Sequence, residues 1–175
     1  MYANPRIVPS RVVAVSVSQR VASDDQLARL LQIGIVLEEV VEARAHRHYR
    51  QLDAELDAEV ERLLADAAEE SADHRERLEA LIEGLGVESV PFGEIESLVD
   101  ARYGRTRPED FDDVLYDQLC NEETAYKFYD DLIEAIEGSD AAFSIDREKL
   151  LTTLTTIRDD EAEGVREVTE VMERR

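Results

Sequence analysis

The spacing of apolar residues changes along this chain from a strand's period to a helix's. In residues 1–22, Val13, Val15 and Val17 alternate with Ala14, Ser16 and Ser18 at a period of two, and Pro5 and Pro9 prevent an early helix. This segment is predicted to be an extended N-terminal arm. At Ser23, with Gln26 three residues on, the sequence has the form of a capping box, and beyond it the period becomes helical. Helix one is predicted over about 24–52, with its stripe on Leu27, Leu30, Leu31, Gly34, Leu37, Val41, Ala45, Tyr49 and Leu52. Helix two carries Val60, Leu64, Ala67, His74, Leu78, Leu81 and Leu85 on its stripe and is ended by Gly84 and Gly86.

The short join makes these two helices antiparallel neighbours. Residues 87–107, with Pro91, Gly93 and Gly104, are too long for a turn and read as a crossover holding a short helix at 92–101. Helix three is predicted over about 108–137, from Pro108 to the stop at Gly138, and shows Phe111, Leu115, Gln118, Ala125, Tyr129 and Leu132. Helix four starts near Ser144 or Asp146 and runs through Leu150, Leu154, Ile157, Val168 and Val171 almost to the end. The expected fold is all-α: an arm at 1–22, then a single domain at 23–175 built as two antiparallel helix hairpins joined by a long crossover. That is the ferritin-like arrangement of the four-helix bundle.

The polar residues that interrupt these stripes carry the chemistry. Glu42 lies between Val41 and Ala45 with Glu38 one turn earlier; Glu122 is four after Gln118 and three before Ala125; Glu161 is four after Ile157. On helix two His74 precedes Leu78 by four, with Glu70 and Ser71 on nearly the same face. Each helix therefore aims a carboxylate or an imidazole inward near its middle. Burying such groups without partners costs several kcal/mol, and cations between them remove that cost. Oxygen-rich donors with an imidazole suit iron or manganese better than zinc. Tyr49 and Tyr129, each seven residues after its Glu, are placed to hydrogen-bond the ligands.

Composition narrows the alternatives. There are 42 acidic against 20 basic residues, a net charge of −22, and only Lys127 and Lys149 among the basic residues are lysine. Most carboxylates are therefore a solvated coat, of the Lys-poor kind that resembles proteins of salt-loving microbes. So negative a field repels phosphate backbones, which argues against nucleic acid and for cations as partners. The single cysteine, Cys120, excludes a disulfide framework, a CxxC redox pair and a four-cysteine metal site, and is expected to be a buried thiol. No apolar run approaches bilayer length, so the expectation is a cytoplasmic protein without a membrane partner.

The residues resemble the rubrerythrin branch of the ferritin-like superfamily. That family marks its first and third helices with Glu-x-x-Ala-x-x-x-Tyr, matched by Glu42-Ala45-Tyr49 and by Glu122-Ala125-Tyr129, 80 residues apart from 42 to 122. Its second and fourth helices carry Glu-x-x-His, which is half-kept in each: Ser71 stands three before His74, and Gly164 stands three after Glu161. The resemblance covers about 23–173. It implies that Glu42 and Glu122 are terminal carboxylate ligands, Glu161 a bridging one and His74 an imidazole ligand, with Tyr49 and Tyr129 behind them. Ser71 and Gly164 then stand where a bridge and a second imidazole are usual. Glu70, four before His74, and His46, four after Glu42, are the substitutes within reach.

The function so implied is that of an iron or manganese protein, di-iron or single-metal, acting on peroxide or dioxygen as an oxidoreductase or ferroxidase. No rubredoxin-like CxxC pair follows the bundle, so an external electron donor is required. The alternatives are a non-catalytic bundle with a degenerate site, acting as a structural or interaction protein, and iron storage. A homodimer or higher homo-oligomer is expected, with the valine-rich arm in the interface.

Overall fold

The computed structural model describes residues 21–44, 58–103 and 114–175. The arm through residue 20, Ala45, His46, Tyr49, Leu52, Pro108 and Phe111 lie outside the described residues. The described residues form five helices and no strand: α1 (Asp24–Ala43), α2 (Ala58–Leu85), α3 (Phe92–Tyr103), α4 (Val114–Glu137) and α5 (Arg147–Glu173). The expected all-α class holds. No helix among them is long and apolar enough to cross a membrane.

The helix ends follow from local chemistry. Ser23, in extended conformation, accepts a hydrogen bond on Oγ from Gln26 N at 3.2 Å, while the Gln26 side chain takes Ala22 N–H at 2.8 Å. These bonds satisfy amides that the first turn leaves free. Gly86 ends α2 at φ 66°, the left-handed conformation that glycine adopts without a Cβ penalty. Asp146 caps α5 by accepting from Lys149 N at 2.7 Å.

Contacts between named residues fix how the helices run. Gly34 faces Leu78 while Glu38 faces His74, so α1 and α2 are antiparallel. Glu122 faces Gly164 while Asp130 pairs with Arg158, so α4 and α5 are antiparallel too. α1 also packs on α4, where Tyr129 reaches Glu38 and Arg44 reaches Asp117, and α2 packs on α5, where Glu59 meets Arg174. α3 lies against α1, burying Ile95 and Val99.

At one end the two pairs are fastened. Asp24 accepts from Ser144 N at 3.1 Å, Ser139 Oγ donates to the carbonyl of Val21, and Arg147 donates to the carbonyl of Ser139 at 2.7 Å and to that of Ile136. The larger apolar core lies toward this end, on Leu27, Leu31, Leu81, Leu132, Ile136 and Leu154. A smaller one, of Val60, Leu64, Ala68, Leu115, Val168 and Val171, fills the other half. Along α2, α4 and α5 the buried polar residues Ser71, His74, Gln118, Glu122 and Glu161 fall between the two cores.

Candidate metal centre

α1 presents a face rotated from the expected stripe. Leu30 and Leu37 are only partly buried, and the positions turned inward are Leu27, Leu31, Ile35 and then Glu38, with Glu39 beside it. Glu38 is 1% exposed. Glu42, the helix-one ligand expected from the sequence, instead pairs with the Arg75 guanidinium at the edge of the interior. Arg75 also holds Glu39 at 3.2 Å and lies 4.3 Å from the centre of the Phe92 ring.

Glu38, His74 and Glu161, from three different helices, meet at the centre. His74 is 1% and Glu161 4% exposed. His74 Nδ1 lies 3.1 Å from Glu161 Oε1 and 3.7 Å from Glu38 Oε2. One donor atom from each of the three lies within 4.8 Å of the others. Donors bonded to one ion at about 2.0–2.2 Å are at most about 4.4 Å apart, so a slight contraction completes a coordination geometry. The cluster can hold a metal ion.

The other ring nitrogen faces a second, outer group. His74 Nε2 is 3.2 Å from Asp160 Oδ2 and 3.8 Å from Glu70 Oε1, and both of those carboxylates reach solvent. Glu70, expected as a substitute ligand, thus stands on the outer side of His74, apart from Glu38 and Glu161. Asp160 was not foreseen, because its only sequence signal is adjacency to Glu161.

Around this centre the polar groups brace one another. Tyr129, fully buried, donates its hydroxyl to Glu38 Oε1. Gln118 Nε2 donates to Glu122 Oε1 at 2.5 Å, and Glu122 and Glu161 line the same small cavity. Gln118 Oε1, also buried, has no hydrogen-bond partner among the described residues. Ser71 and Gly164 line a cavity of about 30 Å³ with Glu70, Glu122 and Glu161. That is room for about one water-sized occupant. Cys120 is partly buried and takes no part in this arrangement.

Burial and mutual contact reset the acid–base properties. Burial opposes a charge on His74, but Glu161 and Glu38 outweigh it and hold the imidazolium up to about 11. Burial pushes Glu161 and Glu122 above the usual carboxylate range, and the nearby Glu38 charge adds to the effect. Burial and then Glu38 push the Tyr129 phenol well above its ordinary value, and burial likewise raises Glu70. The metal-free centre therefore keeps protons where ligands would need lone pairs.

Comparison with protein-family models, with curated proteins and with solved structures finds no match for this chain. The residues of the site therefore carry the functional argument alone.

Proposed function

We propose that this chain is a ferritin-like, rubrerythrin-like carboxylate metalloprotein that binds iron or manganese between its helices and reacts with peroxide or dioxygen. The observation that carries the reading is His74, directed from α2 between Glu38 of α1 and Glu161 of α5 in an interior closed to solvent. Two carboxylates, Glu38 and Glu161, and one imidazole match the donor preference of iron and manganese. A metal bound there supplies the redox change that peroxide or dioxygen chemistry requires.

The chain's own residues prepare that binding. His74 offers Nδ1 once its proton leaves, while Nε2–H stays donated to Asp160, an arrangement that fixes the ring's tautomer and angle. Tyr129 orients Glu38 from behind, as Gln118 does Glu122. Loading releases the protons held by His74 and by the Glu122 and Glu161 pair, so affinity rises with pH. The test is metal analysis of protein purified without chelator, followed by peroxide consumption by the iron- and manganese-loaded forms. A metal content near one equivalent or above with turnover supports the reading, and less than a few tenths of an equivalent overturns it.

A second reading is favoured by Glu122, whose carboxylate occupies the space above Gly164 and accepts a hydrogen bond from Gln118. In it the layer is a self-satisfied polar network that fixes helix register, and the protein is a non-catalytic interaction module. Under that reading metal leaves the melting temperature unchanged.

A further inference from the structure

The buried centre is connected to the surface by a line of carboxylates. The small cavity over Ser71 and Gly164 shares three lining residues, Leu63, Asp66 and Glu167, with a second cavity of about 210 Å³ that opens at the far end of α2 and α5. The outer cavity is bordered by Glu59, Arg62, Glu170 and Arg174. On α2, residues 59, 63, 66 and 70 are three or four apart and share one face; on α5, Glu161, Gly164 and Glu167 line the inner cavity, and Glu167 and Glu170 the outer one. The two faces look at each other across the cavities. Glu59 and Glu170 border only the outer cavity, Asp66 and Glu167 border both, and Glu70, Glu122 and Glu161 border only the inner one.

We infer that this conduit between α2 and α5 is the access path by which divalent cations reach the buried cluster, with Asp66 and Glu167 as its neck. The inference rests on the metal-binding reading above. Two contiguous cavities mark it out from the acidic coat elsewhere, because they lead to side chains that are nearly closed to solvent: Glu122 is 7% and Glu161 4% exposed. A cleft in which one sign of charge predominates concentrates counter-ions and raises association rates, by about 10- to 1,000-fold where the lining is of one sign, an effect that salt weakens. Here the carboxylates outnumber the two arginines, Arg62 and Arg174. Arg174 counters the field at the rim, where it pairs with Glu59 at 2.7 Å and stands 3.8 Å from Glu170. Removing it strengthens the negative potential at the mouth.

Stopped-flow uptake of cobalt(II), read by its visible absorption, tests the path on the full chain, with calorimetric titration for the equilibrium affinity. Asp66→Asn/Glu167→Gln is expected to slow association about tenfold at low salt while leaving stoichiometry and affinity nearly unchanged. Arg174→Gln is expected to accelerate it. Glu94→Gln/Glu148→Gln removes the same charge far from the conduit and is expected to leave the rate unaltered. Cobalt binding with equal rates in all variants, or equal slowing in the charge-matched control, overturns the conduit and leaves the metal site standing. Absence of cobalt binding in the unmodified protein overturns both.

Discussion

Gly164 lies directly beneath the carboxylate of Glu122: a Cβ added to the glycine would stand 2.3 Å from Glu122 Oε2 and 2.7 Å from Cδ. The residue that departs from the Glu-x-x-His pattern on α5 is thus matched by a neighbour that fills its space. Glycine in mid-helix is ordinarily a weakness, worth about 1 kcal/mol against alanine, and here the packing accounts for it.

Gly164→Ala is therefore expected to destabilise the protein by about 1 kcal/mol. Expelling the Glu122 carboxylate breaks its bond to Gln118, worth about 2 kcal/mol for a carboxylate acceptor, and the helix-propensity gain of about 1 kcal/mol offsets part of that loss. In a Glu122→Ser background the same substitution is expected to stabilise. Urea denaturation of the four species closes the cycle. An identical effect in both backgrounds would show that Glu122 is not what the glycine accommodates.

Tyr129→Phe removes the hydroxyl donor to Glu38 inside a fully buried site. A hydrogen bond to a charged group is worth about 1.5–3 kcal/mol, and that is the expected loss of unfolding free energy. Combined with Glu38→Gln the second loss should shrink, since the two groups act as one unit. A loss under about 0.5 kcal/mol for the single variant contradicts the pairing.

The metal-free protein is expected to lose stability as pH rises from about 6.5 to 9. His74 is held protonated up to about 11, whereas the unfolded chain releases that proton near 6.5. Between those values the folded state carries the extra proton, so the stabilisation is full below the lower value and is lost as pH rises toward the upper one, at about 1.4 kcal/mol per pH unit per proton. Glu161 and Glu122, raised by burial, act with the same sign above the ordinary carboxylate range. Melting curves in high salt, which screens the −22 coat, should show the slope in the parent protein and a flatter one in His74→Gln. Manganese(II) should reverse the trend, raising the melting temperature more at pH 8 than at pH 5.5. Equal slopes in parent and variant would remove His74 from this role.

Arg75→Ala takes the guanidinium from Glu39, which is 2% exposed, and from the Phe92 face. The expected cost is about 2 kcal/mol by chemical denaturation, the scale of a buried charge-assisted bond. Arg75→Lys is expected to recover less than half, because an ammonium cannot pair with Glu39 and Glu42 and stack on the ring together. Full recovery by lysine would mean that simple charge is enough.

Much of this layout was legible from periodicity. His74, Glu122 and Glu161 interrupt strong apolar stripes whose flanking leucines and isoleucines fix the helix rotation, Tyr129 belongs to one of those stripes, and all four are buried. The cap at Ser23 was equally plain; at the start of α5 Ser144 and Asp146 both offered a side-chain oxygen, and Asp146 is the cap while Ser144 donates to Asp24. α1 was harder: Glu38, Glu39 and Glu42 cover more than one face, and Leu30 and Leu37 draw the stripe toward a side that is only partly buried. What turns the helix is Arg75, whose claim on Glu39 and Glu42 leaves Glu38 for the interior. That relation spans two helices and has no local signature. Tyr129 reaches Glu38, which shifts the correspondence between α1 and α4 by one turn from the spacing that Glu42 suggested. Asp160 is exposed enough to pass for coat.

The division of the interior into two apolar cores separated by a polar layer also bears on how the molecule opens. Cooperative unfolding is transmitted through continuous side-chain packing, and a layer of titratable groups interrupts it between Ala68 and Leu78 on α2 and between Ile157 and Val168 on α5. The half built on Val60, Leu64 and Val171 is small, and the fastenings among Val21, Asp24, Ser139 and Arg147 all belong to the other. Amide hydrogen exchange should therefore be faster at residues 60–68 and 168–172 than at 78–85 and 150–157. Breathing of the lesser half would then bare His74 and Glu161 to solvent while the greater half keeps the chain folded, so the centre can be emptied and refilled without a round of global denaturation.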